Sequence, residues 1–150
     1  MDLTIQPVNQ DNWRQVAQLS VQPEQRDFIE SNAQSLLEAA YDRSLNWHPL
    51  ALYDGDTMVG FAMIGAHRDE SMWLDRIMMD QHFQGQSYGK HFIPLLLDYM
   101  QTNFGVEKVY LSAHEENEKI FAYYERFGFI DSGKHDPANG ERIMFYSFSK

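Results

Sequence analysis

Residues 80–92, "DQHFQGQSYGKHF", decide how this chain is read. They follow an apolar run ending at Met79, carry glycines at 85 and 89, and pass straight into a helix-like pattern. One meaning of that order is an ordinary strand-to-helix turn. The other is a cradle of backbone N–H groups that holds a phosphate. A helix N-terminus leaves four N–H groups without intrahelical partners and carries about half a positive charge, so it takes anions without basic side chains. An anion reaches that backbone only where side chains are small or turned away. Gly85 and Gly89 meet the requirement, and Gln84, Gln86 and Lys90 add donors. The stretch is not a Walker loop, because no Gly-Lys-Ser/Thr closes it. It is not a dinucleotide fingerprint either, because the second glycine is missing and no βαβ unit with a ribose-binding acid follows.

Working outward, "SMWLDRIMMD" before the turn is a buried strand, and Ser87 to about Asn103 reads as a helix with Tyr88, Phe92, Leu95, Leu96 and Tyr99 along one face. Pro94 inside that helix removes one hydrogen bond and predicts a kink or local adjustment. Upstream, "LTIQPVN" is a short strand that Pro7 confines to an edge or a strand end. Asp11 or Asn12 caps a first helix, and a second helical stretch breaks near Ser31. "LALYDGDTMVGFAMIGA" is a hairpin about Asp54-Gly55-Asp56. Downstream come the strand "EKVYLSAHE", the helix "ENEKIFAYYERFG" ended by Gly128, and a strand pair around 136–140. The order β-α-α-β-β-β-α-β-α-β-β predicts one α+β domain over residues 1–150.

The length of 150 residues suits a single core, and 43% hydrophobic content argues against disorder. There are no cysteines, which removes disulfides, thiolate metal sites and a cysteine nucleophile. A net charge of −10 disfavours nucleic acid and favours cationic ligands, though solubility alone also accounts for such an excess. No apolar run is long enough to span a bilayer and the start lacks a signal-peptide pattern, so the expectation is a cytoplasmic protein with no membrane partner. The histidines lack the spacing of a zinc site, so no metal is expected.

With its strand before and helix after, "MMDQHFQGQSYGKHF" resembles the acyl-CoA motif of the GNAT superfamily of N-acyltransferases, Gln/Arg-x-x-Gly-x-Gly/Ala. Gln84 and Gly89 match it, and Ser87 stands where the middle glycine is usual. "ENEKIFAYYERFGF" resembles the second signature of that superfamily through Asn117, Tyr124, Gly128 and Phe129, with Ile120 in place of a small residue. The element order is similar over essentially the whole chain. The resemblance implies a mixed, mostly antiparallel central sheet flanked by helices, with a splayed strand pair that holds acetyl-CoA as cosubstrate. It implies that backbone groups of Ile77, Met78 and Met79 pair with the pantetheine arm, and that Gln84, Gly85, Gln86, Ser87, Tyr88, Gly89 and Lys90 take the diphosphate. It also implies that Asn117 holds the arm from the other side and that Tyr124 gives a proton to the leaving sulfur. Ser87 is harmless in the helical region and strained if its φ is positive.

Simple alternation along "MWLDRIMM" puts Trp73, Asp75, Ile77 and Met79 on one face and Met72, Leu74, Arg76 and Met78 on the other. A carboxylate in a central apolar strand needs a partner or a purpose. Asp75 accepts the amine proton directly or through water, binds a substrate ammonium, or pairs with a cation such as Arg142. For the acceptor, "PEQRDFIESNAQSLLEA" together with "WLDR" resembles small bacterial spermine/spermidine N-acetyltransferases. That likeness implies a polyamine met by Asp27, Glu30, Asp75 and His114, and it is compatible with a homodimer. Another amine (an amino acid, an aminoglycoside or a protein N-terminus) and a non-catalytic CoA-binding sensor remain open alternatives.

Overall fold

The structure is a computed structural model that describes residues 1–26 and 30–148. The elements, in chain order, are β1 (Leu3–Pro7), α1 (Trp13–Gln18), a 3-10 turn (Pro23–Gln25), α2 (Asn32–Tyr41), β2 (His48–Asp54), β3 (Thr57–Arg68) and β4 (Ser71–Met79). There follow α3 (Tyr88–Phe104), β5 (Lys108–Ala113), α4 (Glu118–Glu125), β6 (Ile130–His135) and β7 (Arg142–Ser147). The strands form one seven-stranded sheet in the order β1-β2-β3-β4-β5-β7-β6. Every neighbouring pair is antiparallel except β4 with β5, so the sheet is mixed. No helix among the described residues is long and apolar enough to cross a membrane.

The sequence signals explain most of these boundaries. Pro7 ends β1 at the sheet edge, where its missing N–H costs no ladder bond. Ser31 caps α2, its hydroxyl accepting from Gln34 N–H at 3.1 Å. Asn12 occupies the N-cap position of α1, but its side chain turns back to the Asn9 N–H and the Pro7 carbonyl instead of capping the helix. Pro94 lies inside α3, which runs from Tyr88 to Phe104 as one helix. The bond lost there is the one to the Lys90 carbonyl, within the first turns of the helix.

Two apolar layers cover the two faces of the sheet. Leu50, Leu52, Ala62, Ile64, Met72 and Leu74 pack on one face against Phe92, Ile93, Leu96 and Met100 of α3, with Phe121 of α4 and Phe129 beside them. Ala51, Met58, Phe61, Met63 and Met78 form the other face with Val16 of α1. β4 does not alternate evenly between them. Arg76 pairs with Met63 and Leu74 with Ile64, which leaves Asp75 out of the ladder as a β-bulge. The side-chain parity therefore flips at Asp75. Met72, Leu74, Ile77 and Met79 all pack against the α3 layer, while Met78 faces the α1 layer. The alternation expected from the sequence is corrected here. One extra residue lets β4 keep its apolar side chains on the same layer on both sides of the bulge.

The bulge coincides with a parting of the sheet. β4 and β5 are paired only at Ser71 with Lys108, Met72 with Val109, and Trp73 with Tyr110. Beyond Trp73 the two strands no longer pair, while β4 continues against β3 up to Met79. The edge of Leu74–Met79 that faces β5 is therefore open.

Candidate active site

Two clefts flank this opening and share Ile77 and Asn117. The first lies along the end of β4, the Gln84–Ser87 turn and the start of α3. Its lining includes Ile77, Met78, Met79, Gln84, Gly85, Ser87, Tyr88, Gly89, Lys90 and Asn117. Of the residues the sequence assigned to the cosubstrate, only Gln86 is not in the lining, and its side-chain amide instead donates to the His82 carbonyl at 3.4 Å.

The turn is anchored from beneath. Asp80 is buried and accepts from the Ser20 N–H at 2.8 Å, the His82 N–H at 3.2 Å and His82 Nδ1 at 2.7 Å. Burial by itself would raise its pKa, but the bonds from Ser20 and His82 outweigh burial and hold it below the usual carboxylate value. Gln84 Nε2 donates to the Met79 carbonyl at 3.1 Å and closes the loop across its base. Among the described residues, no backbone N–H from Gln84 to Ser87 has a protein acceptor. Such groups need water or an anion. Gly85 has φ +77°, with nothing within 4 Å of the position a Cβ would take. The turn thus offers free donors and open space, which fits a diphosphate.

Ser87 takes the strained of its two alternatives, with φ 66° and no capping bond from its hydroxyl. Gly89 has a neighbour the sequence did not reveal: a Cβ there would meet the Tyr123 hydroxyl at 2.9 Å, so that side chain would have to shift. Tyr123 itself lines the first cleft, a position its place in an aromatic helix did not signal.

The second cleft opens on the other side of the splay. It brings together Glu30, Asp75 and His114 from the sequence-assigned set, with Tyr124 at its floor. Asp27 lies outside the described residues. Trp47 and Trp73 form part of its walls. Trp47 fits because residue 65 is glycine, where a Cβ would stand 2.3 Å from the indole. The Tyr124 hydroxyl has no hydrogen-bond partner among the described residues, and its pKa is pushed up to about 12 by burial first and by Tyr123 second. Asn117 caps α4, accepting weakly from the Ile120 N–H at 3.4 Å, and its amide NH₂ stays available where the two clefts meet.

The partner of Asp75 is not Arg142, which pairs with Glu115 at 2.8 Å and Asp131 at 3.4 Å. It is the next residue. Arg76 Nε lies 3.0 Å from Asp75, and its NH2 lies 2.7 Å from Glu38 and 3.3 Å from Glu30, while NH1 donates to the Ser35 hydroxyl. The bulge makes this possible by placing consecutive side chains within reach of each other. One guanidinium therefore answers three carboxylates. Burial raises the pKa of Asp75, Arg76 opposes the rise, and Glu38, Glu30 and Glu141 reinforce it. Sequence reasoning missed Arg76, Glu38 and Glu141. Glu38 follows Ser31 at a helical spacing that could have been projected, whereas Glu141 depends on pairing between distant strands. Among the described residues no three His, Asp or Glu side chains gather as metal ligands would.

Comparison with known proteins agrees with this arrangement. Residues 8–129 match the model of the "Acetyltransferase (GNAT) family". The chain is 32% identical over 151 residues to a "Spermine/spermidine N(1)-acetyltransferase" of Bacillus subtilis (strain 168), with 96% of this chain and 97% of the relative covered. It has the same identity and coverage to a "Probable spermine N(1)-acetyltransferase" of Bacillus subtilis subsp. natto (strain BEST195). The fold superposes with a TM-score of 0.76 on spermidine N-acetyltransferase from Vibrio cholerae, solved in complex with CoA and spermine, at 19% identity over 99% of this chain and 97% of that one.

Two consequences are measurable. Replacing Ser87 by Gly should relieve a left-handed backbone worth about 1–2 kcal/mol, less the entropy glycine adds to the unfolded chain, for a net gain of up to about 1 kcal/mol by denaturant titration. No gain, or a loss, would show that the Ser87 conformation is not strained. For Asp75 the folded-state pKa lies above its ordinary 3.8. Protonation then favours the folded state, so this group's contribution is fully present below 3.8 and is lost as pH rises through the folded value. Asp75→Asn should accordingly gain in stability relative to wild type at neutral pH, and the gain should vanish on acidification below that window. A variant destabilised at neutral pH would mean that the Arg76 pairing outweighs burial.

Proposed function

The chain belongs to the GNAT family of acetyltransferases, and on that footing we propose that it transfers the acetyl group of acetyl-CoA to a primary amine of a polyamine such as spermidine or spermine. Three observations support the reading: the two curated relatives that match over nearly their whole length, the acidic lining of the second cleft, and the junction of both clefts at Ile77 and Asn117. The junction carries it. A thioester entering from one side and an amine from the other would meet beside the unpaired Tyr124 hydroxyl.

Acetyl-CoA supplies the activated acetyl group. The open edge at Ile77, Met78 and Met79 would pair with the pantetheine arm as an added strand would, the N–H groups of the Gln84–Lys90 stretch would hold the diphosphate, and Asn117 would steady the arm. The acceptor arrives charged. An alkylamine of ordinary pKa near 10.4 is neutral in about one molecule in 2,500 at pH 7, a cost of about 4.6 kcal/mol. Asp75 would hold that ammonium or accept its proton from the β4 side of the cleft. Its raised pKa makes it a better acceptor than an exposed carboxylate.

Tyr124 would donate to the departing sulfur. Its pKa of about 12 stands well above an ordinary thiol near 8.5, so leaving a bare tyrosinate would cost about 5 kcal/mol. The tyrosine proton must therefore be replaced within the same step, and the proton that the attacking nitrogen sheds after bond formation is the natural source. Glu30 and Asp27 would meet more distant ammonium groups, and His114 would border the outer end. A homodimer belongs to the same reading, and the exposed Leu37 and Tyr41 of α2 offer it an apolar surface.

An amine panel with detection of released thiol tests the substrate. Spermidine and spermine should turn over well above amino acids and aminoglycosides; turnover of the latter alone would replace polyamines with the other amine class. Tight acetyl-CoA binding without turnover on any amine would leave a CoA-binding sensor. Tyr124→Phe should lower kcat by up to about 10²-fold with acetyl-CoA affinity unchanged, since general acid catalysis is worth about 10²–10⁴ and water substitutes in part. An undiminished kcat would remove Tyr124 from the mechanism.

A further inference from the structure

Glu141 stands immediately before β7, across from the end of β5 where Ser112 and His114 lie, and all three border the cleft that holds Tyr124. Its main chain is clamped on both sides: the carbonyl accepts from the Asp136 N–H at 2.7 Å and the N–H donates to Asn139 Oδ1 at 2.9 Å. The Ser112 hydroxyl donates to Oε1 at 2.9 Å, and Oε2 lies 3.7 Å from His114 Nε2. The side chain is 22% exposed, whereas His114 is 68% exposed and opens toward solvent.

The cleft is also lined by Glu30, Asp75, Glu116 and Asp136, of which Glu116 is exposed at its rim. Asp75 and Glu30 both lean on Arg76, but among the described residues no Arg or Lys reaches Glu141. Ser112 occupies Oε1 and leaves Oε2 open to a cation entering the cleft, with His114 3.7 Å away. Glu141 is also among the charges that act on Asp75, so the two carboxylates stand within electrostatic reach, one on β4 and one beside β7.

We infer that Glu141 is a second catalytic carboxylate, which receives the acceptor's ammonium opposite Asp75 and carries its proton outward through His114. The inference rests on the acetyltransferase reading of the same cleft. The step balances as follows. The ammonium gives one proton to the Glu141 carboxylate, which passes it through a bridging water to the exposed imidazole 3.7 Å away and on to bulk water. The freed nitrogen lone pair forms the carbon–nitrogen bond as the carbon–sulfur bond breaks. Sulfur takes the Tyr124 proton, and the second proton shed by nitrogen restores the tyrosine. The sum is amide, free thiol and one proton released.

The test compares wild type, Glu141→Gln and Glu141→Asp with spermidine and with a weakly basic amine that is already neutral at the assay pH. For Glu141→Gln the kcat/KM with spermidine should fall at least about thirtyfold while acetyl-CoA affinity holds, Glu141→Asp should recover part of the loss, and the weakly basic amine should react within about threefold of wild type. A loss within threefold on spermidine overturns the inference and leaves the polyamine reading intact. An equal loss on the neutral amine, or a parallel loss of acetyl-CoA affinity, overturns it as well by showing a merely structural role. Should wild type acetylate some other cationic amine but no polyamine, the polyamine reading fails alone and the same comparison is made on that amine. Absence of turnover on every amine ends both.

Discussion

β4 and β5 are held together at only three residue pairs, Ser71 to Trp73 against Lys108 to Tyr110, and then part. Almost everything attributed to the site depends on that separation. A sheet that stayed paired to Met79 would present no free edge for an extended ligand and would leave no junction between the two clefts. The separation lies next to the bulge at Asp75, and the bulge allows β4 to turn Ile77 and Met79 into the same apolar layer as Leu74 while its other edge opens. Packing against α3 thus fixes a strand whose outer edge has no strand partner beyond Trp73. An open edge of this kind would be a liability in a purely structural sheet. Here it continues into a turn whose own N–H groups are free.

The electrostatics follow from the same distortion. By placing Asp75 and Arg76 side by side, the bulge gives the arginine access to Glu30 and Glu38 from the α2 side. The guanidinium keeps these carboxylates from repelling one another, yet it does not neutralise them, and Glu141 adds negative charge from across the opening. The lining of the cleft is therefore net acidic, which would favour a cation. Its counterpart across the splay offers unpaired N–H groups to an anion. Under the proposed function, these opposite charge preferences would sort a phosphate-bearing donor from a cationic acceptor before either reached Tyr124.

The element order was legible because it rests on local signals: helical spacing in α3 and α4, the Asp54-Gly55-Asp56 turn, Ser31 as a cap and Pro7 at an edge. The turn at Gln84 to Lys90 was legible for the same reason, since two glycines and a following helix are written in consecutive residues. The bulge was not. An extra residue in a strand leaves no mark on composition, and a period of two runs straight across it, which sent Arg76 to the wrong face and Arg142 to the wrong partner. The conformation of Ser87 could be posed only as a choice between helical and left-handed backbone, because the answer lies in how the turn meets α3. Glu141 and Tyr123 reach the site through pairings far apart in the chain, β5 with β7 and α4 against the turn, so no local window could have placed them there.

Hydrogen exchange with and without CoA tests most directly whether the parted strand and the turn form one binding surface. The account predicts that CoA slows exchange of the backbone amides from Gln84 to Lys90 and, through the pantetheine arm, of amides between Ile77 and Met79. Unchanged exchange in both segments at saturating CoA, or protection confined to a different part of the sheet, would contradict it.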